Sequence, residues 1–185
     1  MILMQILENN LEEIKRKAET MSDFLKMEYL ELCAQKFIDF YILKYCHIEL
    51  IRLYKSKLLY LDALKYLAKL QSMSLSDDEK SQLFINEMEI LIKGGYYDRV
   101  DGAYKNAVKF TDDVYLLRRK IIELYNSEAE KFEKANKNQS LLRIYEKLIP
   151  MLNDDEKDEY KKKLLVVYKK LGKVKESLAL EKNIA

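Results

Sequence analysis

Few side chains in this chain of 185 residues could do chemistry, and their spacing decides which chemistry that would be. The single histidine, His47, has no second imidazole to make a metal pair or a proton relay, and its place among apolar neighbours predicts packing. Cys33 and Cys46 do not have metal-ligand spacing, and on one unbroken helix they would stand too far apart for a disulfide. They are expected to be buried small hydrophobes in a reducing compartment. Gly94-Gly95 could cradle an anion at the start of a helix, but the residues around them fit a turn between two helices. Asp77-Asp78-Glu79 and Asp154-Asp155-Glu156 put carboxylates together where helix starts attract them, so no metal is needed to explain them. Arg118-Arg119-Lys120 and Lys161-Lys162-Lys163 are short and interleaved with acids, which suits a solvated helix face better than a nucleic-acid stripe. A glycine-rich phosphate loop and a serine elbow are both missing from the sequence. The expectation is therefore no catalytic residue, no metal and no cofactor: not an enzyme.

The elements that must position these residues are helices. Four glycines, one proline and 35% charged residues make an all-α chain, since little in it breaks a helix. Lys and Arg total 33 against 31 for Asp and Glu, and a net charge of +2 provides no general attraction to nucleic acid or to an anionic membrane. The apolar start, Met1 to Leu7, runs directly into Glu8 without a cleavage site, so no signal peptide is expected. With no run long enough to span a membrane either, the expected compartment is the cytoplasm. Periodicity predicts helices over about 2–20, 23–56, 58–72, 77–93, 97–110, 112–134, 138–151, 154–171 and 174–183. The stretch 23–56 is compatible with one helix or two. Ser22-Asp23, Ser76 to Glu79, Thr111 to Asp113 and Asn153 to Glu156 offer capping groups.

From about residue 41 the pattern repeats. Aligning small or compact residues in the second helix of each hairpin superposes Ala63, Val100, Leu141 and Ser177, at spacings of 37, 41 and 36. Five residues earlier stand Leu58, Gly95, Asn136 and Gly172, three of which tolerate the left-handed backbone of a tight helix-helix turn. Nine earlier are Tyr54, Leu91, Phe132 and Tyr168; twelve earlier are Ile51, Met88, Ala129 and Leu165; seven later are Leu70, Ala107, Leu148 and Ile184. The predicted organisation is a single domain, with N-terminal helices over 1–40 and four hairpin units over 41–185.

The stretch Gly94-Gly95-Tyr96-Tyr97-Asp98-Arg99-Val100, continued by Tyr104 and Ala107, resembles the tetratricopeptide repeat, and Tyr168 to Leu178 is the next best match. The large aromatic site of the repeat holds His47, Phe84, Tyr125 and Lys161 in place of Trp, and Leu75, Asp112 and Asn153 replace the closing Pro. The longer units are similar to those of soluble NSF attachment proteins and proteasome-lid scaffolds. This resemblance implies an α-α superhelix, a right-handed solenoid of antiparallel hairpins. It also implies a non-catalytic scaffold or adaptor that takes a protein, peptide or partner helix on the concave face of its first helices. The positions facing that groove would be Tyr45, Ile48, Arg52 and Lys55, then Gln82, Ile85 and Glu89, then Glu123, Asn126 and Glu130, then Glu159, Lys162 and Lys169. Glu123 and Glu130 stand where a clamp for chaperone tails would need cations, so that ligand is not expected. The alternative is an RNA- or DNA-binding helical repeat using Arg118, Arg119, Lys161 and Lys162. Self-association or docking of a partner is expected at one end, through Leu178, Leu180 and Ile184 or through an N-terminal helical seam of Leu3, Leu7, Leu11, Ile14 and Ala18.

Overall fold

The computed structural model describes residues 5–183. It is all-helical: α1 (Leu11–Glu19), α2 (Asp23–Lys36), α3 (Phe40–Ser56), α4 (Tyr60–Gln71), α5 (Asp77–Lys93), α6 (Tyr97–Ala107), α7 (Val114–Lys134), α8 (Asn138–Leu148), α9 (Asp154–Lys170) and α10 (Val174–Glu181). Single 3-10 turns extend α6 over Val108–Phe110 and α8 over Ile149–Met151. Among the described residues no β-strand occurs, and no helix is long and apolar enough to cross a membrane. The helices divide into two compact units, Met1–Leu83 and Phe84–Ala185, with the boundary inside α5.

Capping chemistry sets several boundaries. Asn10, Asp39, Asp113 and Asn153 each accept a hydrogen bond from the backbone N–H three residues on, at 2.7–3.0 Å. Ser76 and Asn153 complete reciprocal boxes with Glu79 and Glu156. Ser22 stands at the N-cap of α2 but makes no such bond. One expectation changes and one open alternative is resolved. The first helix starts at Leu11 and not near residue 2, because Asn10 caps it there; residues 5–10 are not helical, and Leu3 lies outside the described residues. The stretch 23–56 is two helices: Phe37 turns extended and Asp39 caps a new start, although neither Gly nor Pro is present.

That break lets α2 fold back along α3. Lys57 pairs with Asp23 and Lys26 with Glu49, both at 2.8 Å, marking an antiparallel register. Between them Leu30, Cys33, Cys46, Leu50 and Leu53 are completely buried. The hydroxyls of Tyr54 on α3 and Tyr66 on α4 both donate to one Glu31 oxygen, at 2.7 and 2.6 Å, while their rings stack 5.7 Å apart. Burial first, then the Glu31 charge, holds both phenols well above their usual range. His47 is a core residue, 6% exposed, with Nδ1 unpartnered and its ring 5.9 Å from that of Tyr66. Burial, assisted by Lys69, pushes its pKa down to about 4.

In the second unit the hairpins stack in order. Second helices meet where Arg143 of α8 lies over the Tyr97 ring of α6 at 5.1 Å and Lys147 pairs with Asp98 at 3.0 Å. First helices meet where Arg119 of α7 pairs with Glu156 of α9 at 2.6 Å and Tyr160 donates to Asn126 at 2.7 Å. Tyr97, Val100, Ala107, Ile121, Tyr125, Leu141, Ile144, Tyr145 and Leu148 form the core of the unit.

One local geometry recurs through both units. Leu58, Gly95, Asn136 and Gly172 all have positive φ, at 60°, 76°, 52° and 66°. The next residue in each case sends its N–H back to the carbonyl of Tyr54, Leu91, Phe132 or Tyr168, at 2.8–2.9 Å. Each left-handed residue also donates three residues back, completing the double-bonded helix stop that satisfies orphan carbonyls. Five residues beyond each one, Ala63, Val100, Leu141 and Ser177 are all buried.

A Cβ added at Gly172 meets no atom within 4 Å, so Gly172→Ala should cost about 1 kcal/mol from backbone strain alone, whereas Leu58→Gly should gain about 0.5–1 kcal/mol; urea unfolding measures both. Val100→Asp should cost several kcal/mol by burying an unpaired charge. Ala107→Phe should cost about 1–3 kcal/mol by overpacking, and wild-type melting of both variants would show that these contacts are not tight. His47 has a folded pKa below its unfolded value of about 6.5, so the unfolded chain binds the extra proton. Stability should therefore be full above pH about 6.5 and fall as pH drops toward 4, by up to roughly 3 kcal/mol. His47→Phe should flatten that slope in chemical-denaturation curves taken between those two values.

Candidate partner-binding surfaces

The groove positions expected from the sequence fall into both units. In the first, Tyr45, Ile48, Arg52 and Lys55 lie on α3 and Gln82 on α5. Ile48, Arg52 and Gln82 are exposed; Tyr45 and Lys55 are half-buried. Tyr45 is covered from within the chain, because the Lys15 ammonium of α1 lies 5.9 Å from its ring. Burial, then the nearby Glu49, pushes its phenol up to about 12. Arg52 pairs with Glu49 at 2.9 Å, and Glu49 also holds Lys26. Those two cations, Arg52 foremost, keep the Glu49 carboxyl below its usual range.

In the second unit Ile85 and Glu89 are half-buried on α5, and Glu89 pairs with Lys93 at 2.5 Å. Glu123, Asn126 and Glu130 lie on α7; Glu159, Lys162 and Lys169 lie on α9. Asn126 is half-buried and accepts from Tyr160, so it joins two hairpins and does not project freely. Glu123, Glu130, Glu159, Lys162 and Lys169 are exposed. Glu159 pairs with Lys163 at 2.8 Å and Lys169 with Glu181 at 2.7 Å. The exposed side chains carry both signs of charge, acidic on α7 at Glu123 and Glu130 and basic on α9 at Lys162 and Lys169.

A feature the sequence reasoning missed adjoins these helices. A cleft of about 290 Å³ is lined by residues of α7, α8 and α9, including Glu133, Leu141, Tyr145, Lys163, Val166 and Lys170. Tyr145, itself buried, donates to Glu133 at the rim. Val166 is 51% exposed although apolar. Its signal lay in spacing, since Lys162, Val166 and Lys169 follow one another at four and three residues along one helical face.

The cations named for nucleic acid are mostly engaged. Arg119 pairs with Glu156, Lys161 pairs with Asp158 at 3.1 Å, and the Arg118 side chain donates to the Met151 carbonyl at 2.7 Å. Lys162 is exposed. At the ends of the chain, Ile14 and Ala18 are completely buried within the protein itself, so the expected N-terminal seam is already covered there, while Leu7 is exposed. Leu178 is exposed and Leu180 half-buried; Ile184 lies outside the described residues. Among the described residues no three His, Cys, Asp or Glu side chains gather as a metal site would require.

No protein-family model matches the chain, and no curated protein matches it. Among solved structures, a crystal structure of BtubC (BKLC) from P. vanneervenii aligns with 94% of this chain and 72% of that one. Its sequence identity is 18% and its TM-score 0.33.

Proposed function

We propose that this chain is a non-catalytic interaction module whose hairpins stack as tetratricopeptide-like units of an α-α superhelix, and that it holds a protein or peptide segment on its first helices. The observation that carries the proposal is the pair of links between α7 and α9, Arg119 to Glu156 and Tyr160 to Asn126. They join two helices on which Glu123, Glu130, Lys162 and Lys169 are exposed. The fourfold turn geometry supports the same reading, because each left-handed stop feeds a second helix whose compact residue is buried against its neighbours. A segment with a basic portion over α7 and an acidic portion over the end of α9 would complement this face, with an apolar side chain at Val166.

Photo-crosslinkers substituted at Glu123 and at Lys162 should capture the partner from the source cell, whereas the same groups at Arg99 on α6 and Gln139 on α8 should not. Glu123→Lys with Glu130→Lys should weaken capture about tenfold without changing the melting temperature, since both side chains are exposed. Equal capture from every position, or turnover of a substrate at an enzyme-like rate, would overturn the proposal. Salt-dependent retention on nucleic acid that is lost on replacing Lys162 would favour the other class of partner.

A further inference from the structure

Cys33 and Cys46 meet across the interface of α2 and α3. The antiparallel register marked by Asp23 with Lys57 and Lys26 with Glu49 brings them opposite each other, and both are completely buried, with free thiols. Their side chains interact directly. Next to Cys33 lies the buried Tyr29 hydroxyl, which makes no well-formed hydrogen bond. The cover on this side includes the non-helical stretch 5–10, whose Glu8 side chain faces Tyr29 and whose Ile6 carbonyl accepts from Lys36 at 2.9 Å. Such a cover can open without the helices coming apart, since short non-helical segments have low local stability.

We propose that Cys33 and Cys46 are a redox-modification site: in the folded chain they close a reversible intramolecular disulfide that clamps α2 to α3. The oxidant is a small-molecule disulfide such as oxidised glutathione. Cys33 is the attacking thiol, because it sits next to the Tyr29 hydroxyl on the side covered by the 5–10 stretch. Its thiolate attacks one glutathione sulfur, the glutathione S–S bond breaks, and one glutathione leaves as a thiolate. Cys46 then loses its proton, attacks the Cys33 sulfur and expels the second glutathione. Two electrons pass from the protein to the glutathione disulfide, and the two thiol protons end on the two glutathione products.

The test treats the full chain with mixed reduced and oxidised glutathione, quenches it with a thiol alkylator, and maps the products by mass spectrometry beside melting curves. The expected result is a peptide joined through Cys33 and Cys46. It should come with a rise in melting temperature on the order of 10 °C that reductant reverses and that is absent from Cys46→Ala. Glutathione retained on either cysteine, chains cross-linked to one another, or two thiols still free would overturn the proposal. So would oxidation whose rate merely tracks global unfolding in urea.

Discussion

One way for a helix to turn back on itself within two or three residues is for one residue to enter the left-handed region while the helix's last carbonyls find donors, and that constraint sets four turns here. That constraint is met in the same way at Leu58, Gly95, Asn136 and Gly172, where the following N–H reaches the carbonyl of Tyr54, Leu91, Phe132 or Tyr168. Because the stop is so short, the direction of the next helix is fixed relative to the first. The buried positions five residues on are a consequence: Ala63, Val100, Leu141 and Ser177 reach the core because the turn aims them there. Leu58 meets the same demand with a branched side chain, which marks it as the strained member of the set.

How the hairpins are then held differs between the units. The first relies on a half-buried carboxylate, Glu31, shared by two stacked tyrosines from α3 and α4. Such a group is costly unless its oxygens are hydrogen-bonded, and the paired phenols supply those bonds. The second unit uses links between like helices, Arg143 and Lys147 on one side and Arg119 with Tyr160 on the other.

The turns and caps were legible because each depends on a few adjacent residues with special backbone or side-chain chemistry: Gly95, Asn136, Gly172, Asp113 and Asn153. The break at 37–39 was not, since a lone Asp39 cap in an otherwise helical run gives no Gly or Pro signal, and its energy comes from α2 packing on α3. The same tertiary fact overturned the separation expected for Cys33 and Cys46, which holds only along a single helix. Asn126 was legible as a first-helix position, but its bond to Tyr160 depends on a residue thirty-four positions away. Val166 escaped because the repeat register was anchored on core positions, and a solvent-facing apolar residue leaves no mark on that register.

The paired state of the exposed charges bears on how a partner could bind. A segment reaching Lys169 must compete with Glu181, and one reaching the Glu159 carboxylate must displace Lys163. Exchanging one solvent-exposed ion pair for another changes the free energy little, because such pairs contribute only about 0–1 kcal/mol each. Under the proposed partner-binding function, the charges on α7 and α9 would orient a partner and reject the wrong one, and affinity would have to come from buried apolar area. Val166, half exposed beside the cleft floored by Leu141, is where that area is on offer. An anchor of one aliphatic or aromatic side chain there, flanked by charges that set its direction, fits this face better than a purely electrostatic contact does.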